Sequence, residues 1–175
     1  MSALGKAEID KLFCVYGKKY SIPKLLLKAV AVCESGLNQT AYRYEPAFFR
    51  RYLKDKPEWK DRDPAEVSSS YGLMQLMFTT AVSLGFHGSG EDLYHPVINI
   101  ELGAKLIRKL LDKVIADRKF EKFFWLSPLA ISMAMYNGGS TLNPDDKGNL
   151  RNEKYVIRVL KEWQNLKAKE KECDD

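Results

Sequence analysis

Ser21-Ile22-Pro23-Lys24-Leu25-Leu26-Leu27-Lys28-Ala29-Val30-Ala31-Val32-Cys33-Glu34-Ser35-Gly36 is the stretch from which the fold is read first. Ser21 suits an N-cap, Pro23 a first helical turn and Gly36 a stop, so a helix is expected between them. Leu26, Ala29, Val30 and Cys33 recur at the spacing of one buried helical face. A lone carboxylate, Glu34, stands beside that face. One turn back it meets Val30 and Ala31, and two turns back Leu27, so its neighbours in sequence are apolar rather than cationic. It also lies in the last helical turn, where the helix dipole presents partial negative charge. Both effects favour the protonated acid, and an acid that keeps its proton near neutral pH suits the cleavage of an acetal such as a glycosidic bond. The plain alternative is an exposed glutamate at a helix end.

Outward from this helix the pattern stays helical. Residues 6–18 carry Ile9, Leu12, Phe13 and Tyr16 at helical spacing. Ser68-Ser69-Ser70-Tyr71 leads into Gly72-Leu73-Met74-Gln75-Leu76-Met77-Phe78, read as a helix over 73–84 that stops at Gly85. Gln75 is its oddity, since a long amide in an apolar run needs partners, either a ligand or nearby backbone. After Gly88, Gly90 and Asp92, Pro96 opens the longest helix, with Ile100, Gly103, Ala104, Ile107, Leu111 and Val114 along one stripe. Ser127 and Pro128 start an apolar, buried helix over 129–136 that ends at Asn137-Gly138-Gly139. Asn143, Pro144, Asp145, Asp146 and Gly148 read as an exposed loop. A closing helix over 155–166 turns Val156, Val159, Leu160 and Trp163 inward, and the charged tail from Lys167 is expected to fray.

Residues 42–70 are irregular, with a short helix over 45–53 and punctuation at Pro57 and Pro64. Tyr42, Tyr44, Phe48, Phe49, Tyr52 and Trp59 crowd this region. Aromatic faces of this kind either stack on sugar rings or glue a small satellite core. With no repeat, low-complexity tract or linker, the chain reads as a single all-α domain over 1–175, or a mainly α one with a minor β element.

Composition narrows the function classes. At 175 residues the chain can bury a core without staples. The 28 Lys and Arg exceed the 23 Asp and Glu, giving a net charge of +5 and a pI near 9.0. That suits a polyanionic partner, although solvated helix faces such as 161–171 account for much of the excess. No aromatic and basic residues interleave as in readers of single strands, so no nucleic acid is expected. Cys14, Cys33 and Cys173 form no closed disulfide set and no CxxC pair. Reduced thiols are the default, with a Cys14 to Cys33 bond joining neighbouring helices as the other option. His87 and His95 lack nearby Cys or His partners, so neither zinc nor another cofactor is expected. The first 19 residues lack the apolar core of a signal peptide, and no run of about 18 apolar residues would span a membrane.

Several of these stretches together resemble the catalytic domain of soluble lytic transglycosylases, relatives of goose-type lysozyme within the lysozyme-like fold. The residues that carry the resemblance are Glu34-Ser35 with Asn38 and Ala41, then Gly72-Leu73-Met74-Gln75-Leu76-Met77 with Thr79 or Thr80. Asp92-Leu93-Tyr94, Pro96, Asn99-Ile100 and Gly103-Ala104 follow, then Met135-Tyr136-Asn137-Gly138-Gly139, Tyr155-Val156 and Val159-Leu160. The resemblance implies a lysozyme-like fold and an enzyme that cuts the β-1,4 bond between N-acetylmuramic acid and N-acetylglucosamine in peptidoglycan glycan strands. Glu34 would act as acid and then base, yielding a 1,6-anhydro sugar without water. By the same matching, Gln75 and Met77 would line the cleft, Tyr136 and Tyr155 would hold Glu34 and the sugar, and Asn137 would fix the turn beneath them.

The departures matter as well. Residues 42–70 intervene between the first two motifs and suggest an enlarged wall on the saccharide cleft. Its acids Glu45, Asp55, Asp61, Asp63 and Glu66 raise the alternative of an inverting muramidase, with a second carboxyl roughly 6.5 to 9.5 Å from the first holding a water. Glu45 is the candidate, being nearest Glu34 in sequence; the competing account is a surface salt bridge with Arg43 or Arg50. The serine before the Gly-Leu-Met-Gln motif corresponds to Ser68, Ser69 or Ser70, with Ser70 taken as the substrate contact. A non-catalytic saccharide-binding module is the third option. The expectation is a monomer that acts on the bacterial wall without membrane insertion, phage-delivered as an endolysin or virion enzyme, or else trimmed of its leader.

Overall fold

Ile9, Phe13 and Tyr16 are buried on one face of α1 (Lys6–Tyr20), as their spacing requires. The structure, a computed structural model, describes residues 3–123, 126–139, 145, 147 and 149–174. Ser21 is not the N-cap expected of it. It caps α1 at its C-terminal end in the left-handed conformation, φ 53°, and Pro23 takes the N-cap place of α2 (Lys24–Ser35). The chain reverses within three residues, and Pro23 enters α2 with φ already at −54°.

Leu26, Leu27, Ala29, Val30 and Ala31 of α2 are wholly buried. α2 packs between α1 and α8 (Glu153–Asp174), while α6 (Pro96–Ala116) packs on α1 and on α7 (Pro128–Gly138). Ser127 caps α7 through its hydroxyl, which accepts from the Ala130 N–H at 3.1 Å. One core joins Phe13, Leu26, Ile100, Ile107, Met133 and Val159, and the end of α6 carries Leu110 and Val114 into a second cluster with Phe120, Ile131 and Met135. The tail expected to fray from Lys167 is helical to Asp174. Its Lys and Glu are strong helix formers, and Glu170 pairs with Lys24 of α2 at 2.5 Å. Cys14 and Cys33 are free thiols. No described helix is long and apolar enough to cross a membrane. Asn143, Pro144, Asp146 and Gly148, expected in a loop, lie outside the described residues.

The largest correction falls on the stretch read as a helix over 73–84. The chain forms β1 (Tyr42–Tyr44), β2 (Ser69–Tyr71) and β3 (Leu76–Met77), an antiparallel sheet in the order β1-β2-β3, and only Phe78–Ser83 is helical, as α5. The fold is therefore mainly α with a small sheet. Gly72 at φ 69° and Gln75 at φ 46° bound the turn that joins β2 to β3, and neither value fits a right-handed helix. A Cβ on Gly72 would stand 2.6 Å from Asn99 Nδ2 and 2.8 Å from the Leu93 carbonyl, so glycine is required twice over. Asn99, fully buried on α6, replaces the missing helical bonds. Its Oδ1 accepts from Met74 N–H at 2.7 Å, and its Nδ2 donates to the carbonyls of Tyr71 at 2.9 Å and Leu93 at 2.8 Å. Met74 then packs on Gly103, where a Cβ would be 2.8 Å from its methyl carbon.

Within 42–70, the helix expected over 45–53 is a single turn, α3 (Pro46–Phe48), running into a π-helical turn Phe49–Leu53 that buries Leu53. A further short helix, α4 (Pro64–Val67), starts at Asp63, whose carboxylate accepts from the Ala65 N–H at 2.8 Å. Trp59 meets Phe78 edge to face, with ring centroids 6.3 Å apart, and so ties the region to α5.

Candidate active site

α2 ends where Gly36 and Leu37 both adopt left-handed conformations, at φ 63° and 64°. That double reversal turns the chain toward the hairpin, and polar groups from both segments close the junction. Ser35 Oγ donates to the Leu73 carbonyl at 2.8 Å, Gly72 N–H to the Ala41 carbonyl at 2.8 Å, and Gln75 Nε2 to the same Ala41 carbonyl at 3.1 Å. Glu34 stands half-buried at this junction, on the wall of a cleft of about 830 Å³.

Burial pushes the Glu34 carboxyl above its ordinary pKa, and this outweighs three groups that pull it down: the Tyr155 hydroxyl, Arg43 and Arg158. Tyr155, 7% exposed on α8, donates to Glu34 Oε1 at 2.6 Å. Its own pKa is raised by burial first and then by the neighbouring Glu34. Arg158 sits over the Tyr155 ring, 5.6 Å from its centroid. Glu34 thus has apolar neighbours along its helix but cationic and hydroxyl neighbours across the fold. Replacing Tyr155 with Phe removes a donor that favours the ionised form, so Glu34 in Tyr155→Phe should titrate at higher pH than in the parent. Carboxyl ¹³C NMR of glutamate-labelled protein measures this, and an unmoved titration would exclude the hydroxyl as a determinant.

Glu34, Glu45, Ser70, Gln75, Met77, Tyr136 and Asn137 all line the cleft, and Tyr155 reaches it only through Glu34. The hydroxyls of Ser68 and Ser69 turn back to the carbonyls of Pro64 at 2.7 Å and Ala65 at 2.5 Å, which leaves Ser70 as the serine on the cleft. Register explains the choice. Arg43 pairs with Ser70, and Ser70 with Met77, so these three share the sheet face toward Glu34. Tyr42 and Tyr71 pair on the other face and line a separate concavity with Glu66 and Tyr94. Gln75 finds backbone partners, since its amide nitrogen also donates to the Gly72 carbonyl at 3.0 Å. Tyr136 donates to the Met74 carbonyl at 2.8 Å, which seats α7 on the hairpin, and burial holds its hydroxyl protonated. Asn137 is exposed at the cleft's edge.

The five acids of 42–70 weighed from the sequence separate clearly. Asp55 and Asp61 are surface residues beside Lys54 and Lys60, Asp63 caps α4, and Glu66 pairs with Arg62 at 2.7 Å on the far side of the sheet. Glu45 alone of the five reaches the cleft, where Arg43 Nη2 meets its Oε1 at 2.7 Å. Sequence reasoning missed Arg43, Lys56 and Glu58 on the cleft wall. Arg43 had a signal: in Tyr42-Arg43-Tyr44 a strand period of two sends the cation opposite to both tyrosines. Of the crowded aromatics, Phe48, Tyr52 and Trp59 line the cleft, with Phe48 and Tyr52 in tilted contact at 5.0 Å.

The family described as Transglycosylase SLT domain matches residues 11–156. Among solved structures, an inactive glutamate-to-glutamine mutant of the lytic transglycosylase Slt from Pseudomonas aeruginosa superimposes with a TM-score of 0.57 at 20% identity. The match covers 90% of this chain and 24% of that one, so this chain spans about a quarter of that enzyme's length. No curated protein sequence matches this chain.

Proposed function

Since this chain belongs to the transglycosylase SLT domain family, we propose that it is a peptidoglycan lytic transglycosylase that cuts the β-1,4 bond between N-acetylmuramic acid and N-acetylglucosamine. The observation that carries the reading is Glu34, a half-buried carboxyl kept above its ordinary pKa on the wall of the 830 Å³ cleft. Protonated Glu34 gives its proton to the glycosidic oxygen as the C1–O bond breaks, with the substrate's N-acetyl group assisting at C1. The resulting carboxylate takes the proton of the muramic C6 hydroxyl while that oxygen closes on C1. One proton leaves and one returns, and no water is consumed. Ser70, Gln75, Met77 and Asn137 form the saccharide-facing wall, and Tyr155 holds the carboxyl in place. The chain acts as one domain and a monomer on wall glycan, on the periplasmic or extracellular side, with 42–70 as the raised cleft wall.

Because the acid must carry its proton, activity should fall as pH rises through the Glu34 pKa, with the alkaline limb above the ordinary carboxylate range. Tyr155→Phe should move that limb to still higher pH. A second reading, an inverting muramidase, draws on Glu45, which also lines the cleft. Mass spectrometry of muropeptides released from purified wall separates the two. Fragments lighter by one water than hydrolytic products are expected; reducing-end products would turn the assignment toward the muramidase.

A further inference from the structure

Two carboxylates share the neighbourhood of one guanidinium. Arg43 shares the cleft face of the sheet with Ser70, acts through space on Glu34 and makes its ion pair with Glu45. Its side chain is 62% exposed, so little besides that contact fixes where the charge sits. Glu45 is better anchored, with its N–H donating to the Ser68 carbonyl at 3.0 Å and Pro46 immediately following. The other groups facing Glu34 have seats of their own. Tyr155 and Tyr136 are neutral donors bonded to Glu34 and to the Met74 carbonyl, Arg158 lies over the Tyr155 ring, and Cys33 is kept protonated by burial. Lys56 and Glu58 line the same cleft without being among the charges that act on Glu34, so of the two cations that do, Arg43 is the one with freedom to move onto the acid. A direct pair would be strong at that half-buried site and would leave Glu34 an inert carboxylate.

We propose that Glu45 is a positioning residue that holds Arg43 off the Glu34 carboxyl, so that the acid retains its proton until substrate enters. This rests on Glu34 being the catalytic acid, and it makes Glu45 a restraint on a neighbouring cation instead of the base that activates a water. Removing Glu45 acts on Glu34 in one direction by two routes: a negative charge disappears from the cleft, and Arg43 is released toward the acid.

The test is the pH dependence of wall solubilisation for Glu45→Ala, Arg43→Met and the double variant, beside ¹³C titration of Glu34 in each folded protein. Glu45→Ala should move the alkaline limb to lower pH and, at a pH above both limbs, cut activity by roughly tenfold, the cost of a limb displaced by about one unit. Arg43→Met should move it to higher pH. In the double variant the loss should be recovered, because the cation that caused it is gone. Loss at every pH with an unmoved limb and no recovery by Arg43→Met would overturn the proposal and make Glu45 a group that acts on substrate or water itself. The Glu34 titration reads the restraint without any activity, so an active Glu34→Gln would sink the catalytic reading while leaving this one to be judged on its own.

Discussion

Glu34→Gln should lower the rate of wall solubilisation by about 10²- to 10⁴-fold, the range for loss of a positioned general acid. Glutamine keeps the volume and an oxygen for the Tyr155 hydroxyl, so the cleft should persist. The folded pKa of Glu34 lies above its unfolded value, so the native state holds the extra proton between the two. Stability from this group is full below the unfolded pKa and is lost as pH rises through the folded pKa. Glu34→Gln removes that loss and should be at least as stable as the parent at neutral pH. Thermal melts of both proteins across pH, beside turbidity clearance of purified wall, check the pair of expectations together. A variant that lyses at the parental rate would remove Glu34 from the reaction. One that is inactive because it melts early would show that the carboxylate serves the fold.

The second large effect is expected at Asn99, which touches no part of the cleft. Asn99→Ala strips three hydrogen bonds from a fully buried site and leaves the Met74 N–H and the carbonyls of Tyr71 and Leu93 without partners. At about 1–3 kcal/mol for each stranded group, partly relieved by relaxation, the loss should come to about 3–5 kcal/mol in chemical denaturation. Activity should fall as well, even where the variant is folded. The turn that Asn99 holds lies between Ser70 on one strand and Met77 on the other, and it contains Gln75 and the carbonyl that receives Tyr136. A wild-type denaturation midpoint in Asn99→Ala would mean that the turn is held by its own backbone.

These two residues also mark how far the sequence could be read. Glu34 was visible because its setting is local: a helix with Leu26, Ala29 and Val30 on one face and Gly36 at its end. The motif order from Glu34-Ser35 to Tyr155-Val156 pointed to the family without any tertiary contact. The role of Asn99 was hidden, because an asparagine near the start of an apolar helix looks like a surface residue until the hairpin is set against it. The helix expected over 73–84 failed for a related reason. Gly72-Leu73-Met74-Gln75 has an apolar pattern that fits a helix as well as a turn, and the choice was made by the burial of Leu73 and Met74, the latter against Gly103 of α6, while Asn99 satisfied the freed backbone.

From its sequence alone the presence of the five long helices α1, α2, α6, α7 and α8 and the position of one acid at a helix end were determined, since each depends on residues within a turn or two of one another, and the order of short local motifs gave the resemblance to one enzyme family. Tertiary structure decided what surrounds that acid: a hydroxyl from Tyr155, cations from Arg43 and Arg158, Ser70 and not Ser68 or Ser69 on the cleft, and Glu45 and Glu58 as the acids of the enlarged wall that line it. The physical reason is range. Periodicity records which side of a segment leaves water, whereas charge neighbours and left-handed turns are fixed where segments meet, as Tyr155 meets Glu34 across 121 positions of chain.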